Sequence, residues 1–312
     1  MKLSVSPIKQ SKMGYFRIKL LLIIISSFCI ASCAQKSAES EGPLIDFEVY
    51  STLQDTVIFN EVMAEFRLAG DTSGNCASRI IAVAEFFAGT EYVASTLELE
   101  GEERLVVNLR ELDCTTFVEY VLAMACCQSS GRLDIDDFYR NLALIRYRHG
   151  KPEGYLSRLH YFTEWLKVRE KQGSLILISD SIGNEAFNSE VHFMSTNPGF
   201  YRQLEANPEY IFPLQRIEGR IAGYSMKYLT KDIIKDKESH INKGDIIAFV
   251  TTIEGLDVSH TGFAVHHNGR VHLLHASTRS NKVELTPVPL HEYLAGLPRV
   301  SGILIGRVVN CE

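Results

Sequence analysis

Cys114 stands in the run Leu112-Asp113-Cys114-Thr115-Thr116-Phe117-Val118-Glu119, between an acid and two hydroxyl residues. Apolar residues follow at helical spacing (Phe117, Val118, Val121, Leu122, Ala125), so the pattern predicts a helix with Cys114 in or beside its first turn. Free backbone N–H groups and the positive end of the helix dipole lie there, and both favour thiolate over thiol. A cysteine so placed is a candidate nucleophile if a histidine base reaches it from elsewhere in the chain. Far downstream the chain offers Ser259-His260-Thr261-Gly262-Phe263-Ala264-Val265 and then His275-Ala276-Ser277. Amide hydrolysis by a thiol needs a base that later serves as acid, a group that orients the base, and a donor for the oxyanion. Cys114 is the candidate nucleophile, His260 the base and His275 the orienting group. His272 lies on the opposite face of the same strand, and a slip of one residue in register would bring it in place of His275. The histidines 260, 266, 267, 272 and 275 are close in sequence, but no HExxH-type spacing accompanies them. No metal and no cofactor is therefore expected.

The elements around these residues divide into two halves. Helical spacing predicts helices over Ile58–Ala69 and Cys76–Phe87, stopped by Gly70 and Gly89, and a Cys114 helix that runs to about Ser129. Asp134 or Asp136 would cap another helix through Tyr147, and Ser157 one over Arg158–Lys171. Residues 131–240 separate Cys114 from its base. They include Pro198, Pro208, Pro213, Tyr201 and Tyr210, and are expected to form an ordered wall of a cleft. Strands follow over Ile246–Thr251, His260–His266, Val271–Ala276, Val283–Thr286 and Gly302–Val309, with a strong hairpin signal at Asn268-Gly269 and a short helix over Leu290–Leu297. A helical half carrying the cysteine, followed by an antiparallel sheet or barrel carrying the histidines, is an α+β architecture.

The first residues have another purpose. Lys2, Lys9, Lys12, Arg17 and Lys19 precede an apolar run from Leu20 to Ile30, and Ala31-Ser32-Cys33 closes it. This reads as a secretory leader over residues 1–33. Its ending resembles a lipobox, which implies acylation of Cys33 and anchoring to a membrane of the bacterial envelope. Residues 34–45 read as a flexible tether, and residues 46–312 as one catalytic domain. The leader holds 5 of the 32 basic residues and none of the 38 acidic ones, leaving 27 − 38 = −11 on the processed chain. That balance argues against nucleic acid as a partner. Cys126 and Cys127 read as core filler, and a Cys76–Cys311 disulfide is open to an exported protein.

Tyr92, Asp113-Cys114-Thr115, Gly244-Asp245-Ile246-Ile247-Ala248-Phe249, His260-Thr261-Gly262 and His275-Ala276-Ser277, in this order, resemble the NlpC/P60 cell-wall peptidase superfamily. That superfamily is papain-like, with cysteine, histidine and a second polar residue in this chain order. Within it the chain is similar to the DUF1460 branch, known as N-acetylmuramoyl-L-alanine amidase-like. The pieces that carry the closer likeness are Tyr92–Glu98, Asp113–Glu119, Tyr155–Tyr161 and Gly255–His260. The resemblance implies a peptidoglycan amidase acting on muropeptides, with Tyr92 helping to bind the oxyanion. Arg158 could clamp a substrate carboxylate. His160, Asp113, Thr115 and Ser259 would touch substrate. Thr115-Thr116 replaces the usual Ser-Gly, which implies a bulkier pocket floor. Two rival readings remain at this level: a γ-D-glutamyl–diamino-acid endopeptidase, and a peptidoglycan-binding lipoprotein without catalysis.

Overall fold

The computed structural model describes residues 45–69, 75–129, 134–188 and 190–309. The leader, Cys33, most of the tether, Gly70 and Cys311 lie outside the described residues. Among the described residues no helix is long and apolar enough to cross a membrane. The described residues form one compact unit.

Strict alternation in the last third of the chain builds the sheet that everything else packs against. Ile246–Thr251 is buried at every position. Ile246, Ala248 and Val250 face one apolar cluster, while Ile247 and Phe249 face another. A strand covered on both sides carries a continuous apolar run, which is why no polar residue interrupts this one before Thr251. Its neighbours are Val258–His267 on one side and Val300–Val308 on the other, both antiparallel. Beyond Val258–His267 come Arg270–Ser277, Lys282–Leu285, Glu91–Tyr92 and finally Glu111–Leu112. Only the last pairing, Tyr92 with Leu112, is parallel among the described ladders of this sheet. Asn268 and Gly269 take φ of 49° and 74°, the two positive values that a tight hairpin between twisted strands requires.

The first face of the sheet holds the helices Leu53–Ala69, Cys76–Phe86, Cys114–Ser129 and Ile135–Arg146 through a single large core. The Cys114 helix is buried nearly all round, from Phe117 through Ala125. A helix of that kind is central, not a surface element. Phe117 meets Phe263 edge to face at 5.7 Å, which fixes this helix to the His260 strand. Glu119 pairs with the buried Arg146 at 2.6 Å, and Arg146 also donates to the Val106 carbonyl. The opposite face is covered by the short helix Leu290–Ala295 and its neighbours. Residues 191–221 form a third cluster, in which Met194, Leu204, Leu214 and Ile217 pack on Tyr155 and Tyr161.

Several boundaries differ from the expectations. The first helix begins at Leu53, not Ile58, because Thr52 and Asp55 cap each other reciprocally. Asp134, not Asp136, caps the fourth, accepting from the Asp137 N–H at 2.7 Å. The helix expected from Arg158 starts at Phe162. Ser157 instead closes a tight turn by donating to the Gly154 carbonyl. The true cap comes from far away: Asp257 accepts from the Thr163 N–H at 2.8 Å and its hydroxyl at 2.7 Å. Cys76 is disulfide-bonded.

Candidate active site

Asp113 sets the start of the Cys114 helix. Its carboxylate accepts from the Thr116 N–H at 2.7 Å, and the Thr116 hydroxyl accepts from the Asp113 N–H at 2.9 Å. This reciprocal cap satisfies two helix-end donors and presents Cys114 in the first turn. Parallel pairing of Tyr92 with Leu112 then lays Tyr92 beside it. Burial first, then the neighbouring Cys114 and Asp113, raise the Tyr92 phenol.

The histidines arrive on the neighbouring strands. The register pairs Phe249 with His260 but Val250 with Val258, so Ser259 is the extra residue of a bulge. Bulges re-aim the side chains next to them, and this one sits immediately before His260. His260 Nε2 lies 2.6 Å from His275 Nδ1, with the rings perpendicular. His272 does not share in this. Its Nδ1 donates to the Thr286 carbonyl at 2.8 Å. Gly262 makes the histidine contact possible. A Cβ built on Gly262 would stand 2.8 Å from the His275 Cβ and 2.7 Å from the Leu274 carbonyl oxygen. The bare glycine leaves the space across which His275 leans toward His260.

Burial dominates the electrostatics. It pushes the Cys114 thiol up to about 12, with the Asp113 carboxylate adding to the rise. The Thr261 backbone N–H and the Thr115 hydroxyl oppose this in part. Thr261 follows His260 directly, and Cys114 and His260 line the same two cavities. Burial also pushes His260 down to about 3, reinforced by His275, and His275 itself down to about 4. Desolvation thus works against the helix dipole at Cys114, and both shifts favour a neutral thiol and a neutral imidazole.

Two cavities meet at Cys114, Ser259 and His260. One, of about 230 Å³, is walled by Tyr155, His160, Tyr161, Phe162 and Tyr201, with Thr115 also on its surface. Glu98 and Asp257 supply its acids. The Glu98 Oε2 atom is buried without a partner. His160 is held by donation from Nε2 to the Tyr155 carbonyl at 2.9 Å, and burial pushes it down to about 3. The other cavity, of about 340 Å³, is lined by Tyr92, Arg279, Tyr293 and Arg299.

Two of the expected substrate contacts are engaged elsewhere. Asp113 is turned to Thr116. The Arg158 guanidinium is buried, paired to Glu98 at 3.0 Å and Glu103 at 2.8 Å, and donates to the Leu97 carbonyl at 3.2 Å. Arg158 therefore braces the loop that carries Glu98 and does not line the cleft. Tyr293, Arg279 and Arg299 were not singled out in the sequence, while Gly262 and Glu98 stood inside the family-like segments without a role of their own. Among the described residues no group of three or more His, Cys, Asp or Glu side chains is placed to hold a metal ion.

These buried neutral imidazoles have a consequence for stability. In the unfolded chain they take up protons below about pH 6.5. Folded, His260 and His160 resist protonation down to about 3 and His275 down to about 4. The unfolded state then binds more protons, so stability is full above pH 6.5 and is lost as pH falls toward 4. Each histidine contributes at most about 1.4 kcal/mol per pH unit. The figure is smaller for His260 and His160, which keep some contact with the cleft. Urea melts at pH 7, 6, 5 and 4 should show this fall; a flat profile over that range would remove the assignment of neutral buried histidines.

The profile of the N-acetylmuramoyl-L-alanine amidase-like family matches residues 82–303. The chain belongs to this family. A crystal structure of an N-acetylmuramoyl-L-alanine amidase from Bacteroides uniformis ATCC 8492 is 36% identical with a TM-score of 0.72, covering 75% of this chain and 99% of that one. A Bacteroides fragilis protein provisionally named a xylanase is 39% identical with a TM-score of 0.69, covering 73% and 99%. A Legionella pneumophila protein of family DUF1460, 23% identical with a TM-score of 0.60 over 82% and 95%, shares the fold. No curated protein matches the chain. The mixed α+β architecture is common to these amidase-like structures. Glu98, Arg158 and Tyr155, from two of the family-like segments, touch one another directly.

Proposed function

We propose that the protein is a cysteine-dependent amidase that cleaves the bond between the lactyl group of N-acetylmuramic acid and L-alanine. The observation that carries this reading is the two-armed cleft meeting at Cys114 and His260. Aromatic faces in one arm suit a sugar ring, and Glu98 suits its hydroxyl or amide hydrogens. Arg279 and Arg299 in the other arm suit an acidic peptide. The substrate bond has those two partners on its two sides.

Cys114 attacks the lactyl carbonyl while His260 Nδ1 takes the thiol proton. His260 then returns that proton to the alanine nitrogen as the amine leaves. The Cys114 N–H and the Tyr92 hydroxyl hold the oxyanion. Water attacks the acyl-enzyme with His260 again as base, and the thiol is restored. His275 keeps the His260 ring in the tautomer this needs. This reading makes the protein a papain-like NlpC/P60 hydrolase, and the leader-like residues 1–33 ending at Cys33 make it a lipid-anchored protein of the cell envelope. Against the γ-D-glutamyl endopeptidase, Asp113 is turned to its helix and away from a substrate amine. Against a binding protein without catalysis, the thiol, base and orienting group stand together.

Mass spectrometry of digested muropeptides tests this. Free stem peptide together with bare disaccharide is expected. A dipeptide left on the sugar would overturn the amidase in favour of the endopeptidase, and binding without turnover would leave only the binding protein.

Met194 and Tyr201, from the 131–240 interval, help to wall one arm of the cleft, so small substrates should fit best. Soluble disaccharide-peptides are expected to turn over at least about tenfold faster than intact sacculi, the order expected when binding contacts are lost. Equal rates on both would remove the argument from cleft size.

A further inference from the structure

A third cavity, of about 220 Å³, lies away from the cleft, where three helices and the sheet meet. Each helix offers residues from one face: Leu122 and Cys126 from the Cys114 helix, Leu144 and Ile145 from Ile135–Arg146, Trp165 and Arg169 from Phe162–Lys171. Leu175 and Val308 close it from the sheet. Its walls are mostly apolar, yet a guanidinium sits in them. Arg169 is only 7% exposed, and neither its Nε nor its Nη2 has a hydrogen-bond partner. The Trp165 Nε1, on a residue 1% exposed, has none either.

Among the described residues no carboxylate lines the cavity. The carboxylate whose field acts on Arg169 is Glu119, which is already paired to Arg146. Burial accordingly pulls the Arg169 guanidinium down to about 10. A buried cation without a counter-charge is costly, and the cost is relieved by an anion with matching geometry. The two free Arg169 donors are Nε–H and one Nη2–H, the side of the guanidinium that grips a carboxylate through two parallel bonds. Trp165 lies four residues earlier on the same helix face and lines the same cavity. A carboxylate has four lone-pair sites, enough for all three donors. The apolar remainder suits a short hydrocarbon chain, and the exposed Leu144 stands at the mouth.

We propose that this cavity binds a small monocarboxylate with a short aliphatic chain, its carboxylate held by Arg169 and Trp165 and its chain lying among Leu122, Leu144, Ile145 and Leu175. The site is separate from the cleft. Two of its three helices nevertheless start at the cleft, one with Cys114 and one with Phe162. An occupant would brace both against each other.

The chain contains a single tryptophan, so its fluorescence reports on this cavity alone. The full chain is titrated with butyrate, hexanoate and octanoate, with hexanol and inorganic phosphate as controls. A saturable change in Trp165 emission is expected for the carboxylates, with affinity that varies with chain length and is at least tenfold better than for hexanol. Arg169→Met should fold, because it replaces an unpaired buried charge by an apolar chain of similar length. It should lose at least tenfold in carboxylate affinity while its melting temperature holds or rises; Arg169→Lys should keep part of the affinity. The proposal is overturned by no saturable change with any carboxylate, by equal binding of hexanol, by phosphate binding as tightly as hexanoate, or by unchanged affinity in a folded Arg169→Met protein. The readout does not involve turnover, so its outcome is independent of the amidase reading.

Discussion

Cys114→Ala and His260→Ala are each expected to reduce muropeptide cleavage by on the order of 10⁴-fold or more, with the fold intact by circular dichroism. The size follows from the chemistry. Without the thiol there is no covalent intermediate. Without the imidazole the thiol has no acceptor for its proton, and burial holds that thiol up to about 12. The same shift predicts how the free enzyme reacts with an alkylating reagent. A thiolate–imidazolium pair would be labelled at a nearly constant rate from pH 5 to 8. A neutral thiol well below its pKa gains thiolate tenfold with each pH unit, so labelling of Cys114 should climb about tenfold per unit across this range. The expectation from the helix dipole alone is the opposite one, a thiolate already formed near pH 6. Rates of iodoacetamide labelling at Cys114, followed by peptide mass spectrometry, separate them. A flat profile would show that the ion pair forms despite burial. Retained cleavage in either alanine variant would remove the cysteine mechanism.

How much of this was legible depended on whether the deciding contact was local. The Cys114 helix and the Ile246–Thr251 strand are found at their expected bounds, because each is specified by its own apolar run and a turn signal beside it. The hairpin at Asn268-Gly269 was legible for the same reason. The helix at Phe162 was misplaced by four residues because its cap, Asp257, lies 94 residues away in sequence. Arg158 read as a free clamp for the same kind of reason. Nothing near it in sequence announces Glu98 and Glu103, which occupy its guanidinium. At the site, the types and order of Cys114, His260 and His275 were readable, as was the choice between His275 and His272 in the form of a register question. The electrostatics were not. A helix N-terminus can be seen in a sequence, whereas the depth at which the sulfur is buried depends on Thr261 and the strands behind it. The basic arm of the cleft was also hidden, since Arg279 and Arg299 come from separate loops that only the closing strand brings together.

His275→Ala is expected to cut kcat/KM by roughly 5- to 150-fold, the kinetic equivalent of about 1–3 kcal/mol for one buried hydrogen bond. The tautomers explain why. If His260 Nδ1 accepts the thiol proton, Nε2 must carry a hydrogen and donate it to His275 Nδ1 at 2.6 Å. His275 is then only an acceptor in this contact, and its own proton sits on Nε2, which is buried without a partner. A carboxamide oxygen can accept the same bond, so His275→Asn should recover most of the loss and spare the unpartnered Nε2–H as well. Gly262→Ala should imitate His275→Ala, because the added methyl occupies the space across which His275 reaches His260. His272→Ala separates position from mere burial. It strips the Thr286 carbonyl of its donor, so it should lower the melting temperature while leaving kcat/KM within about twofold. Were His272→Ala to slow turnover as much as His275→Ala, with a similar melting temperature, the strand would have to present the other face to His260. An acid-stability profile gives the independent check. His275→Asn removes one buried neutral imidazole, so its loss of stability between pH 6.5 and 4 should be shallower by up to about 1.4 kcal/mol per pH unit, whatever happens to catalysis.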